Sequence, residues 1–189
     1  MRRLFVLIMA VVLVVGMSAM VAANGDYGND YPGNGNEGPG HGGPGHGDYG
    51  RGDFAMITQL GSSNNASIYQ KGNGWYHEHG GDNVGLIFQK GWGNNASLTQ
   101  VGSDNFAVVK SFGYGNVVNQ NQRGKDLVAT VFQHGSSNRA TQLQRGKYNV
   151  SLIEQAGFAN TARTDQRGKK DMAIINQMGS GNNASITQL

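Results

Sequence analysis

From Phe54 onward, apolar and polar residues alternate in short runs that return every eleven positions. Met172 to Gln188 show the unit twice, as Ala173, Ile175, Gln177 and then Ala184, Ile186, Gln188, with Gly179 and Asn182 between them. A side-chain period of two belongs to a strand, and glycine with asparagine supplies the positive φ of a tight turn, so the unit is predicted to be strand, turn, strand. Glutamine recurs at Gln188, Gln177, Gln166, Gln155, Gln144, Gln133, Gln122, Gln100 and Gln89, with Ser111 standing in the series, and after one break at Gln70 and Gln59. Glycine follows two residues behind, at Gly61, Gly72, Gly91, Gly102, Gly113, Gly124, Gly135, Gly146, Gly157, Gly168 and Gly179. Repetition at a fixed period marks a solenoid, whose units cannot bury their own apolar face and must stack.

In each of the twelve predicted strands the residues at even offsets before the glutamine share one face, as Ala55 with Ile57 or Ala129 with Val131. That face runs small, aliphatic, amide and is read as the inside. The other carries Lys110, Asn119, Thr130, Arg139, Glu154, Arg163, Asp165, Asn176 and Thr187 and is read as the outside. Two strands and two turns make a coil of about 22 residues, and six coils at about 4.8 Å each stand about 29 Å tall. The fold class is therefore all-β: a two-sheet parallel β-solenoid, cross-β in character, preceded by a disordered Gly-rich segment. Odd strands place Ile57, Ile87, Val109, Val131, Ile153 and Ile175 at the central inward site, whereas even strands place Ile68, Leu98, Gln120, Gln142, Thr164 and Ile186 there. The even sheet is expected to be weaker through its middle coils.

A buried glutamine costs a few kcal/mol if unpaired. Stacked in register, each can bond the next along the solenoid. Asparagines three residues after each glycine, at Asn64, Asn94, Asn105, Asn116, Asn138, Asn149, Asn160 and Asn182, are expected to do likewise near the turns. Ser111 interrupts the glutamine column, and Leu127 and Asp171 the asparagine column, so these are expected to be weak rungs. Between Gln70 and Gln89 the spacing is nineteen, an insertion predicted to form a loop over 73–83. Its His77, Glu78 and His79 resemble part of a metal site but imply no further ligands, and a solvated loop is the favoured reading.

Gln-Arg-Gly-Lys occurs three times, 22 residues apart, stacking Arg123 and Lys125, Arg145 and Lys147, Arg167 and Lys169 on one edge. This basic edge reads either as an attractor of anionic sugars, lipid head groups or nucleic acid, or as a solvated turn that tolerates charge; the second is favoured. No specific nucleic acid is implied.

Composition changes the picture at the N-terminus. Met1 to Ala23 has Arg2 and Arg3, an apolar run and small residues before Ala23, the pattern of a cleaved signal peptide. Residues 24–52 are a low-complexity stretch holding all 3 prolines, read as a flexible segment that addresses an export machine or merely spaces it. Residues 53–189 are the repeat domain. Of the formal charge of +3, the leader arginines account for two, the acidic head for −3 and the repeats for +4. His41 and His46 are read as solvated, Arg51-Gly52-Asp53 as chance, and the sequons at Asn65, Asn95 and Asn183 as products of the repeat. With 0 cysteines no disulfide holds the fold. No catalytic constellation, phosphate-cradling loop, calcium nonapeptide or single threonine column is present, so no enzyme, cofactor or metal is expected.

The final unit ends one residue before Leu189, and only flexible chain precedes Phe54, so both ends of the solenoid are expected to be uncapped and to recruit further copies. The repeat Ala-x-x-x-Gln-x-Gly-x-x-Asn-x-Ala-x-x-x-Gln, unbroken from Ala55 to Gln70 and from Ala173 to Gln188, resembles the curlin repeat of bacterial curli subunits. The resemblance implies an extracellular functional amyloid fibre for biofilm matrix and adhesion, secreted through the periplasm of a Gram-negative bacterium. It also implies partners: further copies of itself, a second curlin subunit, and a dedicated outer-membrane secretion channel with accessory factors. Residues 135–183 and the basic balance are more similar to the minor, nucleating subunit. The Gly/His/Asn head is more like the major one, and the regular final repeat departs from the minor pattern; the reading leans slightly to the minor type. The alternative is a monomeric secreted β-solenoid adhesin that binds anionic ligands.

Overall fold

The computed structural model describes residues 52–72 and 82–189. The readings of residues 1–23, of most of 24–52 and of the insertion over 73–81 lie outside them. Twelve strands follow one another: β1 (Phe54–Ser62), β2 (Asn65–Lys71), β3 (Val84–Trp92), β4 (Asn95–Ser103), β5 (Phe106–Tyr114), β6 (Val117–Lys125), β7 (Val128–Ser136), β8 (Arg139–Lys147), β9 (Val150–Phe158), β10 (Thr161–Lys169), β11 (Met172–Ser180) and β12 (Asn183–Gln188). They form two six-stranded parallel sheets, β1-β3-β5-β7-β9-β11 and β2-β4-β6-β8-β10-β12, so the chain winds as the expected two-sheet β-solenoid. Every strand meets its neighbour in phase, Gln133 beside Gln155 and Gln144 beside Gln166. The insertion leaves the register untouched, since Gln59 still lies beside Gln89 and Gln70 beside Gln100.

The alternation of side chains decides what is buried. Ile87, Leu98, Val109, Val118, Val131 and Ile153 form a thin apolar core between the sheets, together with Ala96, Ala107, Ala140 and Ala162. Ile57, although inward, is 43% exposed because β1 lies at the end of the described stack. In the middle coils the even sheet puts polar groups into this core, and they find partners across it. Gln142 Nε2 donates to Thr130 O and Ser151 Oγ, both at 3.0 Å, and Ser151 Oγ lies 2.7 Å from Thr164 Oγ1. Gln120 Nε2 donates to Gln142 Oε1 at 2.7 Å and to Val108 O of the opposite sheet at 3.3 Å, while Gln120 Oε1 is buried without a partner.

The corners differ from expectation. The repeat glycines lie inside the strand ends, and the chain turns two residues later, at a two-residue corner whose first residue is left-handed. Only Gly93, Gly115 and Gly181 meet this demand with glycine; Ser63, Asp104, Asp126, Ser137, Tyr148, Ala159 and Lys170 adopt φ between 54° and 67°. Gly72 and Gly168 are not among the positive-φ residues. The other nine repeat glycines do adopt positive φ, between 104° and 146°, as expected, while no asparagine among the described residues does. Most of them also need the absence of a side chain: a Cβ on Gly113 would fall on the carbonyl oxygen of Gly135 in the next coil. Two outward residues are also buried, Thr130 and Asp165, against the reading that placed them in solvent.

These facts separate two kinds of corner substitution. Ala159→Gly relieves a left-handed alanine and is expected to raise the denaturant midpoint by about 1 kcal/mol of stability. Gly113→Ala, in the same columnar region, is expected to lower it by more than that, because backbone must move to admit the methyl.

Candidate functional site: the amide columns and their tips

Four columns of polar side chains run along the stack. The even-sheet glutamines, Gln70, Gln100, Gln122, Gln144, Gln166 and Gln188, form an unbroken series in which each Nε2 donates to the Oε1 of the next coil at 2.8–3.0 Å. The second N–H of the same amide crosses to the opposite sheet, as Gln144 does to Val128 O at 2.9 Å. One group therefore closes its own coil and fastens the following one. In a buried setting this matters doubly, because an amide left with one N–H unpaired would forfeit about 1–3 kcal/mol.

The odd-sheet column, Gln59, Gln89, Ser111, Gln133, Gln155 and Gln177, carries the interruption foreseen at Ser111. Gln59 Nε2 reaches Gln89 Oε1 at 2.8 Å, and Gln133 and Gln155 continue the chain at 2.9 and 2.8 Å. Ser111 Oγ donates down to Gln133 Oε1 at 3.2 Å but is too short to accept from above, and Gln89 Nε2 is buried without a partner.

The asparagines sit at the second corner residue. Asn64, Asn94, Asn116, Asn138, Asn160 and Asn182 form one full column. In it the backbone N–H and Nδ2 of Asn116 both donate to Asn94 Oδ1, at 3.2 and 3.1 Å, while Nδ2 also reaches Gly135 O of the next coil at 3.0 Å. The glycine and asparagine positions thus serve one contact. The other corner column reads Asp53, Asn83, Asn105, Leu127, Asn149, Asp171. Asn83 and Asp53 were missed in the sequence because asparagine was sought three residues after each glycine, a rule the insertion breaks; stepping back eleven from Asn94 and Asn64 reaches both. Asn83 therefore belongs to the column and not to the loop, its Nδ2 donating to Asp53 Oδ1 at 2.9 Å. Leu127 and Asp171 keep only the backbone half of the contact, N–H to Asn105 Oδ1 and to Asn149 Oδ1, and Asp171 Oδ2 is buried without a partner.

The basic edge stacks as spaced: Arg123, Arg145 and Arg167 lie side by side, as do Lys125, Lys147 and Lys169. Part of its charge is met locally. Lys125 Nζ lies 3.6 Å from Asp104, and Lys169 Nζ lies 5.9 Å from the centroid of the Tyr148 ring. Asp165 is covered by two arginines of its own strand, Arg167 through Nε and Nη2 and Arg163 through Nη2, all at 3.1 Å. The Arg167 hydrogen bond, with its charge and that of Arg163, holds the Asp165 carboxyl below its ordinary value of 3.8 against the opposing effect of burial. Among the described residues no group of three or more His, Cys, Asp or Glu could hold a metal ion.

The columns have direction. At the β1–β2 end, no group among the described residues donates to Gln59 Oε1 or Gln70 Oε1. At the β11–β12 end, Gln177 Nε2 and Gln188 Nε2 donate to Thr161 O and Met172 O at 3.1 and 3.0 Å, and each retains the second N–H that inner glutamines pass to the next coil. One end lacks donors and the other lacks acceptors, so the two are complementary.

Two measurements address these contacts. Ser111→Gln is expected to complete the odd column and raise stability by about 1 kcal/mol in a denaturation experiment, by giving Gln89 Nε2 an acceptor. Because the Asp165 pKa is depressed in the folded chain, its contribution is present above the ordinary carboxylate value and lost as pH falls through the lower, folded one. In acid titration followed by circular dichroism, Asp165→Asn is therefore expected to lose less stability than the native chain below pH about 4.

A family model described as "Curlin associated repeat" matches the chain three times, over residues 50–74, 80–113 and 157–189. Among curated proteins and solved structures nothing matches significantly. The stretch between the second and third matches is no break in the fold: β6 to β8 pair in the same register there, and it holds Gln120, Leu127 and Gln142, departures from the repeat that the stack absorbs. Three matched segments in a solenoid of one repeating register show what the chain is: a curlin-repeat protein, of the family whose members are subunits of curli-type amyloid fibres.

Proposed function

We propose that this chain is secreted and polymerises end to end, head to tail, into an extracellular cross-β fibre that serves biofilm matrix and adhesion. The single observation that carries the reading is the complementarity of the two tips, with acceptors on Gln59 and Gln70 facing donors on Gln177 and Gln188 when copies stack in one direction. The edge strands beside them add unpaired backbone that recruits further strands. Export through an outer-membrane channel, addressed by residues 24–52 after removal of 1–23, fits the composition of that head, and a second curlin subunit is the natural seed. Within the family we place the chain with the minor, nucleating type, on the likeness of residues 135–183 and on the stacked Arg and Lys of the edge, which oppose rapid homopolymer growth.

Purified chain lacking residues 1–23, incubated for days at micromolar concentration, is expected to bind thioflavin and to sediment; a dye-negative monomer would instead favour the adhesin that binds anionic ligands. Deleting the gene is expected to release unpolymerised partner subunits into the medium, whereas loss of the subunit mass itself would mark the major type. At the tips, Gln177→Leu with Gln188→Leu removes two donors worth about 1 kcal/mol each. The concentration of chain left soluble at the plateau is expected to rise roughly thirtyfold, and an unchanged plateau would reject tip-to-tip joining through the amides.

A further inference from the structure

The two outer faces of the solenoid are built to opposite specifications. At the second outward position the odd sheet stacks Met56, Leu86, Val108, Thr130, Leu152 and Ile174, while the even sheet stacks Ser67, Ser97, Asn119, Thr141, Arg163 and Ser185. Aromatic residues extend the apolar side: the Phe88 and Phe112 rings lie 5.5 Å apart, and Trp92 stacks on Tyr114 at 4.8 Å. Ile174 and Met178 are 56% and 71% exposed, whereas Val108 and Thr130 in the middle of the face are covered by their neighbours, at 6% and 5%. Lys90, His134 and Glu154 interrupt this face singly, each beside uncharged neighbours in its column, and Lys110 Nζ lies 5.4 Å from the Phe132 centroid. The even face instead aligns Arg123, Arg145 and Arg167.

We propose that the outer face of the odd sheet docks a second solenoid of the same chain, so that growing fibres are laterally joined pairs; this rests on the fibre reading above. Three features select a second copy as the occupant. Nine-residue strands and six coils give a face of about 30 Å by about 29 Å, or roughly 850 Å², close to the ~800 Å² that each partner gives to a stable interface. Second, the face is ridged at the coil rise of about 4.8 Å, and a second stack with the same rise meets it in step along the whole fibre, as paired sheets do in a steric zipper. Third, the arginine column on the even side repels its own kind, so pairing of like faces proceeds through the odd sheet alone.

Mass per unit length, measured by scanning transmission electron microscopy on fibres of the native chain, tests this directly. The expected value is two chains for every about 29 Å of fibre. Leu86→Asp with Leu152→Asp is expected to halve it while the fibre diffraction keeps its coil-spacing reflection, and Ser97→Asp with Thr141→Asp on the other face is expected to leave it unchanged. One chain per about 29 Å in native fibres overturns the pairing, and so does an unhalved value in the odd-face variant; the native measurement stands even where a variant fails to fold. If the native chain does not polymerise at all, the fibre reading fails, and sedimentation equilibrium then decides the face. A native dimer that the odd-face variant dissociates upholds the pairing, and a native monomer rejects it.

Discussion

Everything in this fold depends on the primary amide holding coils together where hydrophobic burial is too thin to do so. A coil presents only a few aliphatic side chains to the interior, and the described core is a single file of Val, Ile, Leu and Ala between two sheets. Glutamine fills the rest of that interior, and its two N–H groups and one carbonyl are used in three directions: its own coil, the coil before and the coil after. Asparagine does the same at the corner, borrowing the glycine carbonyl of the next coil. Because the stack repeats, the polar groups find the same partners coil after coil, and among the described residues the desolvation cost is left unmet only at Asp82 Oδ1, Gln89 Nε2, Gln120 Oε1 and Asp171 Oδ2.

The sheets, the register and the columns were legible because a period of eleven with an amide at every step but Ser111 leaves no freedom: moving a strand by one residue would turn glutamine to water and the outer residues inward. The corners were less legible. Tyr148, Ala159 and Lys170 carry no local signal for a left-handed backbone; the stacking of corner on corner imposes it, as Lys170 N–H on Lys147 O at 3.0 Å illustrates. Asp165 looked solvated because its place in the alternation is outward, and only the reach of Arg163 and Arg167 over it closes it off. The direction of the amide columns is written nowhere in the residue types. It follows from which atom faces which carbonyl of the opposite sheet.

Glutamine and asparagine columns also run oppositely. Glutamine Nε2 donates toward the β11–β12 end, whereas asparagine Nδ2 donates to the Oδ1 of the preceding coil. Ser111 breaks one column only, and its neighbours in the other three keep the coil in place.

The corners themselves are unequal. Asn64, Asn94, Asn116, Asn138, Asn160 and Asn182 leave no rung missing on one edge, while the other edge mixes Asp53, Leu127 and Asp171 with its asparagines. It is on this looser edge, between β2 and β3, that the chain accommodates extra residues without disturbing any pairing. Further residues spliced there would leave the in-phase pairing of β1 with β3 and of β2 with β4 as it is, and the intact edge opposite would keep the winding true.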